Sequence, residues 1–402
     1  MKEADLYIDC IFGTGIDREV SGFYRRIINF LNVVDKPVIS IDIPSGLDCN
    51  SGKALGAAVK AETTVTFVIP KIGMCIYPGV DYVGKLFIAD ITTPKILEEK
   101  LPYELLTFEG INEIIKTRDS DSHKGSHGHL LVIAGSKGKS GAAILAANGA
   151  VRSGAGLVTI CSPACVNNII EANTIEAMSA ELMDTNEGSI SNNSAKKAVN
   201  ILNDKKSALA IGPGLTTNKS TKLFFKEILL NLSVPAIIDA DGINILSDNL
   251  GLLKKIDVPI ILTPHPGEMA RLCKLPINEV QENRIDISLE FAKKHNCYLV
   301  LKGAKSIIAD PDGNIFINPT GNPAMASGGM GDVLTGIIGS LLAQGYSPID
   351  SCKLGTFIHG YTADLTVQEF GAPGIIASDV VENIPSSFKN IESQKELYFN
   401  II

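Results

Sequence analysis

Basic charge is what this 402-residue sequence has least to spare: 36 Lys and Arg stand against 44 Asp and Glu, a formal charge of −8. No Lys/Arg cluster follows a helix face, so the electrostatic footprint of a nucleic-acid or anionic-membrane binder is missing. The eight cysteines include no CxxC pair, which removes the basis for a zinc knuckle or a thioredoxin-like redox motif; reduced thiols of a cytoplasmic protein are the expectation. No apolar run approaches the ~20 residues needed to span a bilayer. The opening Met1-Lys2-Glu3-Ala4-Asp5 lacks the apolar core of a signal peptide. Solenoid-period repeats and low-complexity tracts are also lacking.

An acidic chain can still hold a phosphate, because helix N-termini and glycine-loop N–H groups supply positive potential locally. Glycine is plentiful, at 37 residues. The length suits two or three domains at roughly 100–200 residues each. Leu6 to Phe12, Val38 to Ile43, Thr63 to Ile69 and Lys85 to Ile88 read as strands, with helical spacing from Phe23 to Val34; together they describe half of a Rossmann-like sheet. Pro94 to Glu109 has no clear period, and we place the boundary there, giving domains 1–108 and 109–402.

From His129 the alternation restarts. Strands are expected at Leu130 to Ala134, Leu157 to Cys161, Ala208 to Ile211, Ala236 to Asp239, Ile260 to Thr263 and Tyr298 to Lys302, and a helix from Ser140 to Ser153. Strands alternating with helices predict a mainly parallel α/β sheet covered on both faces. Ser306 to Ala309 and Asn314 to Ile317 read as a hairpin turning at Asp312-Gly313.

The strongest chemical signal is Gly321-Asn322-Pro323-Ala324-Met325-Ala326-Ser327-Gly328-Gly329-Met330-Gly331-Asp332, followed by an apolar helical run. Glycines before a helix let the backbone approach an anion, and Asp332 would lie in the first turn. A tight turn with a cap explains the same residues without function. Three further loops share the pattern of glycine after an apolar strand: Ile211-Gly212-Pro213-Gly214-Leu215, Thr263-Pro264-His265-Pro266-Gly267-Glu268 and Lys302-Gly303-Ala304-Lys305-Ser306. Each alone is explained by a surface turn or a satisfied loop histidine. Four such loops at strand ends imply one shared cleft. His123, His127 and His129 suggest a metal, but no nearby Cys or carboxylate completes a ligand set.

The collinear runs HKGSHGHLLVIAG, SGAAILAANGAVRSGAGLVT, IGPGL, DADGIN, TPHPGE, LKGAKS and GNPAMASGGMGDVLTG, between His123 and about Ile384, resemble the NAD(P)H-hydrate dehydratase family. The resemblance implies a ribokinase-like fold and dehydration, driven by ADP or ATP with Mg2+, of the S epimer of hydrated NADH or NADPH. It implies Asp332 as the catalytic base. Gly214, His265, Pro266, Gly267, Glu268 and Asp332 would line the hydrate side. Lys302, Gly303, Ala304, Lys305, Ser306, Gly328, Gly329 and Gly331 would line the nucleotide. Ser306 stands where the family often has threonine, and Ser327 and Met330 are further departures from its pattern.

The runs Tyr7-Ile8-Asp9-Cys10-Ile11-Phe12-Gly13-Thr14-Gly15 and Ser40-Ile41-Asp42-Ile43-Pro44-Ser45-Gly46-Leu47-Asp48 resemble the second half of an NAD(P)H-hydrate epimerase domain. By that resemblance Asp9 and Ser45 match potassium ligands, and Gly13, Thr14, Gly15, Ile16, Asp17, Arg18, Glu19 and Asp42 match the hydrate-binding side. The family's upstream asparagine- and glycine-rich loop has no counterpart before Asp5, so we expect a chain that begins inside a longer protein, or a remnant kept as a scaffold, with impaired epimerase activity. Small-molecule substrates and a homo-oligomer are the expected partners. Two alternatives remain: a small-molecule or vitamin kinase of the same fold, and a non-catalytic ADP-binding sensor.

Overall fold

The computed structural model describes residues 4–94 and 101–393. Two compact units make up the chain, the first reaching Leu105 and the second beginning at Leu106. Directly after that junction the chain is tied into the second unit. The Leu106 N–H donates to the carbonyl of Ile317, the Thr107 side chain caps helix Phe108–Ile114, and the Phe108 ring meets Phe357 and Tyr361 edge to face.

The first unit carries a parallel sheet in the order β1 (Tyr7–Asp9), β2 (Val38–Ile41), β3 (Thr63–Phe67) and β4 (Lys85–Ala89). Helix Gly22–Leu31 turns Ile28 and Leu31 against Val20, Val38 and Val59. A second cluster joins Ile43, Leu47, Ala58, Met74 and Val83. The Rossmann-like reading of this stretch therefore appears as four parallel strands.

The other sheet has ten strands. Its strands are β5 (Tyr103–Leu105), β6 (His129–Ile133), β7 (Leu157–Pro163), β8 (Met178–Leu182), β9 (Ala208–Ile211), β10 (Ala236–Ile238), β11 (Ile260–Leu262), β12 (Tyr298–Leu301), β13 (Ile307–Ala309) and β14 (Ile315–Ile317), in the order β5-β14-β13-β12-β11-β10-β9-β6-β7-β8. From β8 to β12 every pairing is parallel, and β12, β13 and β14 pair antiparallel. The expected hairpin is the β13–β14 pair. Two strands escaped sequence reading. Met178–Leu182 is an edge strand with little burial and weak alternation, and Tyr103–Leu105 follows a proline in a charged stretch.

Central strands β6, β9, β10 and β11 are apolar and buried on both faces, as parallel strands covered by helices should be. The order also locates a site. The chain leaves β6 toward β7 on one side and later resumes at β9 on the other, so loops after β6 and β9 diverge; ligands of open α/β sheets lie in that crevice at the C-terminal strand ends. Helix Met330–Ala343 crosses beneath this crevice with twelve of its residues buried, and its N-terminus opens into it.

Candidate functional site

A cavity of about 470 Å3 sits at the switch point, lined from several elements: Gly138 and Lys139 after β6, Gly214 after β9, Asp241 after β10, Glu268 after β11, and Gly328, Gly329 and Asp332 at the start of helix Met330–Ala343. Gly329 is the N-cap of that helix with φ of 90°, a left-handed conformation that glycine adopts without strain. A side chain there would meet Leu145 at 2.5 Å.

Asp332 lies in the first helical turn. Burial pushes its carboxyl up to about 7, helped by the charges of Asp239 and Asp241 and opposed by Lys302. A carboxyl titrating there accepts a proton readily at neutral pH, as a general base requires. Lys302 donates to Asp239 Oδ1 at 2.6 Å and stands 3.9 Å from Glu268 Oε2. Burial would lower its pKa; Asp239, Glu268, the hydrogen bond to Asp239 and the charge of Asp332 outweigh that and hold it above its usual range. Thr335 donates to the other oxygen of Asp239 at 2.8 Å.

His265 caps helix Pro266–Cys273. Its Nδ1 accepts from the Gly267 and Glu268 N–H groups, and Glu268 Oε2 accepts from the His265 N–H, a reciprocal capping box. With Nδ1 accepting, the neutral ring carries its proton on Nε2, which faces Glu268 Oε1 at 3.4 Å. Burial lowers the His265 pKa, with Lys302 and Arg271 adding to it, and burial raises that of Glu268. Pro266 opens the helix at its first position.

The structure thus brings Gly214, Glu268, Gly328, Gly329 and Asp332 to one cavity, with His265, Pro266 and Gly267 leading into Glu268. Gly331 backs onto the same network: a Cβ there would stand 3.4 Å from Lys302 Nζ and 3.7 Å from Asp239 Oδ2. The loop after β12 is more tied down than its sequence suggests. Lys305 donates to the Pro319 carbonyl, Ser306 to that of Gly303, and Arg284 braces the carbonyls of Leu301 and Lys302. Ala304 and Gly303 are exposed at its tip.

Sequence reading missed Asp239, Asp241, Lys139 and Thr335 as individual residues. Asp241 Oδ2 accepts from the Thr216 N–H at 2.9 Å and Lys139 Nζ at 3.0 Å, joining the loops after β6, β9 and β10. The available signal was the pair of carboxylates in Asp239-Ala240-Asp241 directly after an apolar strand. Ala240 between them has φ of 50°, a costly conformation for alanine that recurs at functional turns. Asp364 was missed too; from helix Pro348–Phe370 it accepts from the Gly321 N–H and from Asn322, pinning the glycine-rich run where it begins.

Two of the three histidines noted earlier have local partners: His123 Nδ1 takes the Gly125 N–H, and His129 Nε2 lies 2.7 Å from Thr159 Oγ1. His127 stands beside Arg118 in a separate hollow.

In the first unit Asp9 is buried and fully engaged, accepting from Ser40 Oγ, the Ser45 N–H and, at 2.6 Å, Ser45 Oγ. Ser45 Oγ also receives the Phe12 N–H at 2.8 Å, which anchors the loop holding Gly13, Thr14, Gly15, Asp17, Arg18 and Glu19, all exposed. Ile16 packs into the core instead. Asp42, at φ of 67°, pairs with Lys71 and accepts from Thr66.

A parallel sheet with a ligand crevice at its switch point, and a glycine-capped helix presenting an aspartate there, defines an α/β enzyme of the ribokinase-like class. The sequence matches the family described as NAD(P)H-hydrate dehydratase over residues 130–386, and that of the YjeF-related protein N-terminus over residues 1–73. The bifunctional NAD(P)H-hydrate repair enzyme of Moorella thermoacetica is 38% identical over 395 residues, covering 98% of this chain and 74% of the relative. Its counterpart in Escherichia coli K12 is 32% identical over 387 residues, covering 95% and 71%. Among solved structures, an ADP/ATP-dependent NAD(P)H-hydrate dehydratase from Bacillus subtilis, co-crystallized with ATP and Mg2+, is 35% identical with a TM-score of 0.63, covering 72% of this chain and 99% of that one. A ribokinase-like superfamily protein of Enterococcus faecalis V583 is 26% identical with a TM-score of 0.63, covering 72% and 96%. The chain belongs to the bifunctional NAD(P)H-hydrate repair enzymes, and its larger unit is an NAD(P)H-hydrate dehydratase with an epimerase-related region ahead of it.

Proposed function

We propose that the second unit uses a nucleoside di- or triphosphate, ADP before ATP, to expel water from the S epimer of hydrated NADH or NADPH, with Asp332 as the base. The observation that carries this is Asp332 itself, held near neutral pKa at a glycine-capped helix N-terminus inside a cavity. Hydroxide is a poor leaving group. Asp332 takes the proton of the ring hydroxyl as its oxygen attacks the terminal phosphoryl group, and the nucleotide leaves one phosphate shorter. The C–O bond then breaks toward phosphate, pushed by the ring nitrogen lone pair, and loss of the neighbouring C–H proton restores the reduced nicotinamide.

Gly328, Gly329 and Gly331 offer backbone N–H groups to phosphate charge, and Lys302 to Ser306 form the nucleotide side of the reading. Gly214 and His265 to Glu268 form the hydrate side. Glu268 and Asp332 give the hard oxygen donors that Mg2+ prefers, and the ion would neutralise phosphate charge.

For the first unit we infer a weak epimerase that draws on Gly13 to Glu19 and Asp42, with K+ held by Asp9 and Ser45. The carboxylate, the hydroxyl and the nearby Phe12 carbonyl are an all-oxygen set suited to that ion. The domain limits are proposed as 1–108 and 109–402. Self-association is proposed through the edge strand β8, beside which Ile169, Ile175 and Met178 are exposed.

The test follows reduced-nicotinamide absorbance from an epimer mixture of hydrated NADH, with ADP, ATP or neither. Nucleotide-dependent recovery that vanishes in Asp332→Asn supports the reading. Absence of recovery from folded protein that binds ADP would overturn it in favour of a kinase or a sensor.

A further inference from the structure

The cavity has to accept two polyanions, yet its wall is acidic. Asp241, Glu268 and Asp332 all line it, and among the described lining residues Lys139 is the sole cation. Lys302 is outside that lining, and its ammonium is held by Asp239. Phosphate oxygens brought against three carboxylates need a positive partner. Lys139 is the wall side chain able to give one.

The order of the strands indicates which phosphate it meets. Lys139 follows β6 and Lys302 follows β12, with β9, β10 and β11 between them. At about 4.8 Å per strand, the two loops stand roughly 19 Å apart. The glycine run that leads to Asp332 spans the interval: Gly331 lies beside Lys302, and Gly329 lies beside Leu145 of helix Ser140–Arg152. With the nucleotide at the β12 end, Lys139 is at the hydrate end. Its contact with Gly214 agrees, since a Cβ on Gly214 would meet the Lys139 carbonyl oxygen at 3.0 Å and the Lys139 Cβ at 3.1 Å. In a hydrated dinucleotide whose ring sits at Asp332, the ribose and then the diphosphate lead away from the nucleotide loop and toward Lys139.

The ammonium is held there only lightly. Its partner is Asp241 Oδ2 at 3.0 Å, and the Lys139 side chain is 51% exposed against 18% for Asp241. An ion pair so open to water contributes little. The same Asp241 oxygen also accepts the Thr216 N–H at 2.9 Å, so the carboxylate stays anchored when the ammonium leaves. The long lysine stem is the part that moves. There is room for a ligand beside it: among the described residues, a Cβ on Gly138 or Gly141 would meet nothing within 4 Å. Gly141 and Ala142, in the first turn of helix Ser140–Arg152, line the cavity as well, and the positive end of that helix favours the same charge.

We propose that Lys139 is a substrate-contacting residue, whose ammonium leaves Asp241 to bind the diphosphate of the hydrated nicotinamide dinucleotide. The inference rests on the dehydratase reading above and adds to it the group that recognises the substrate's charge. One ion pair is exchanged for another, and no covalent step is involved.

Steady-state dehydration is to be measured in wild type, Lys139→Met and Lys139→Arg, varying hydrated NADH at saturating ADP and then ADP at saturating hydrate. Lys139→Met should raise the KM for the hydrate roughly tenfold, lower kcat less than about threefold, and leave the KM for ADP within about twofold. Lys139→Arg should recover most of the loss, because it keeps a cation that pairs with phosphate. Salt adds a readout that a purely structural tie between loops would not move. As NaCl rises from about 50 to 300 mM, the wild-type KM for the hydrate should climb, and more steeply than that of Lys139→Met.

A rise in the KM for ADP alone would assign the lysine to the nucleotide's phosphates and overturn the proposal. Equal losses in the Met and Arg variants, or parallel salt curves, would reduce Lys139 to a tie between loops and overturn it too. A wild-type chain that never restores NADH overturns the proposal together with the reading beneath it, whereas an active wild type and a Lys139→Met variant with the same KM for the hydrate overturn the proposal alone.

Discussion

A Cβ placed on Gly336 would stand 2.1 Å from the carbonyl oxygen of Ala146. The helix carrying Asp332 and the helix after β6 therefore touch backbone to backbone, and Gly149 meets Val333 in the same seam. This close crossing sets where Asp332 emerges, because one helix begins and the other starts beside the same cavity. Gly336→Ala should separate the helices and cost about 1–3 kcal/mol of stability. Chemical denaturation of the purified variant checks the cost, and a variant as stable as wild type would show that the seam relaxes freely.

Asp332 links stability to pH in a direction opposite to an ordinary salt-bridged aspartate. Its folded pKa, about 7, lies above the usual 3.8, so its contribution is fully present below pH 3.8 and is lost as pH rises through 7. Asp332→Asn should accordingly be more stable than wild type at pH 8, by about 1–3 kcal/mol, with the gap closing toward pH 4, while turnover falls by about three orders of magnitude or more. Melting temperatures of both proteins over that range, read beside their rates, provide the measurement. Equal melting curves at pH 8 would mean that the carboxylate is not held out of water.

Much of this arrangement was legible in the sequence, and the limits have physical causes. Strands β6 and β9 are short apolar runs closed by glycine, and the glycine run before Asp332 marks a helix N-terminus facing an anion; these signals are local. What escaped is the pairing between distant strand ends. Nothing near Lys302 shows that its partner is Asp239, 63 residues earlier, or that Thr335 completes the set. Lys302 reads as a nucleotide ligand from its own loop, and its ion pair with a buried carboxylate from the end of another strand is not visible there. His265 reads as a hydrate-side residue, and nothing local shows that it also caps its helix and fixes Glu268. Edge strand β8 had too little burial to produce a pattern.

The glycine-rich run depends on a residue far from it in sequence. Asp364 accepts from the Gly321 N–H at 2.8 Å and from Asn322 Nδ2 at 2.7 Å, although burial raises its pKa. Asp364→Ala leaves a partly buried N–H and an amide without their acceptor, at a cost of about 1–2 kcal/mol. It should also loosen the loop that leads to Gly328 and Gly329. The expected result is a weaker affinity for ADP by roughly tenfold, read by isothermal titration, with a melting temperature reduced in the absence of nucleotide. Unchanged affinity together with reduced stability would assign Asp364 to the fold alone.

The hydroxyl of Ser45 bridges three groups in the first unit, donating toward Asp9 Oδ1 and receiving the Phe12 N–H, with the Phe12 carbonyl 3.2 Å away. Ser45→Ala removes the bridge while keeping the turn, and it leaves the buried Asp9 carboxylate with three partners, Ser40 Oγ, the residue 45 N–H and the Ile11 N–H. Two consequences should follow together. The loop from Gly13 to Glu19 loses its anchor, so its amides should exchange hydrogen faster, while those of Thr63–Phe67, whose pairing does not involve Ser45, keep their protection. Potassium, if held by Asp9 and Ser45, should protect the same loop in wild type and fail to do so in the variant, whereas sodium chloride at equal ionic strength controls for screening. Exchange measured with and without potassium chloride separates the cases: protection lost only in the variant's loop supports an ion at this pair, and equal potassium protection in both proteins would place any ion elsewhere.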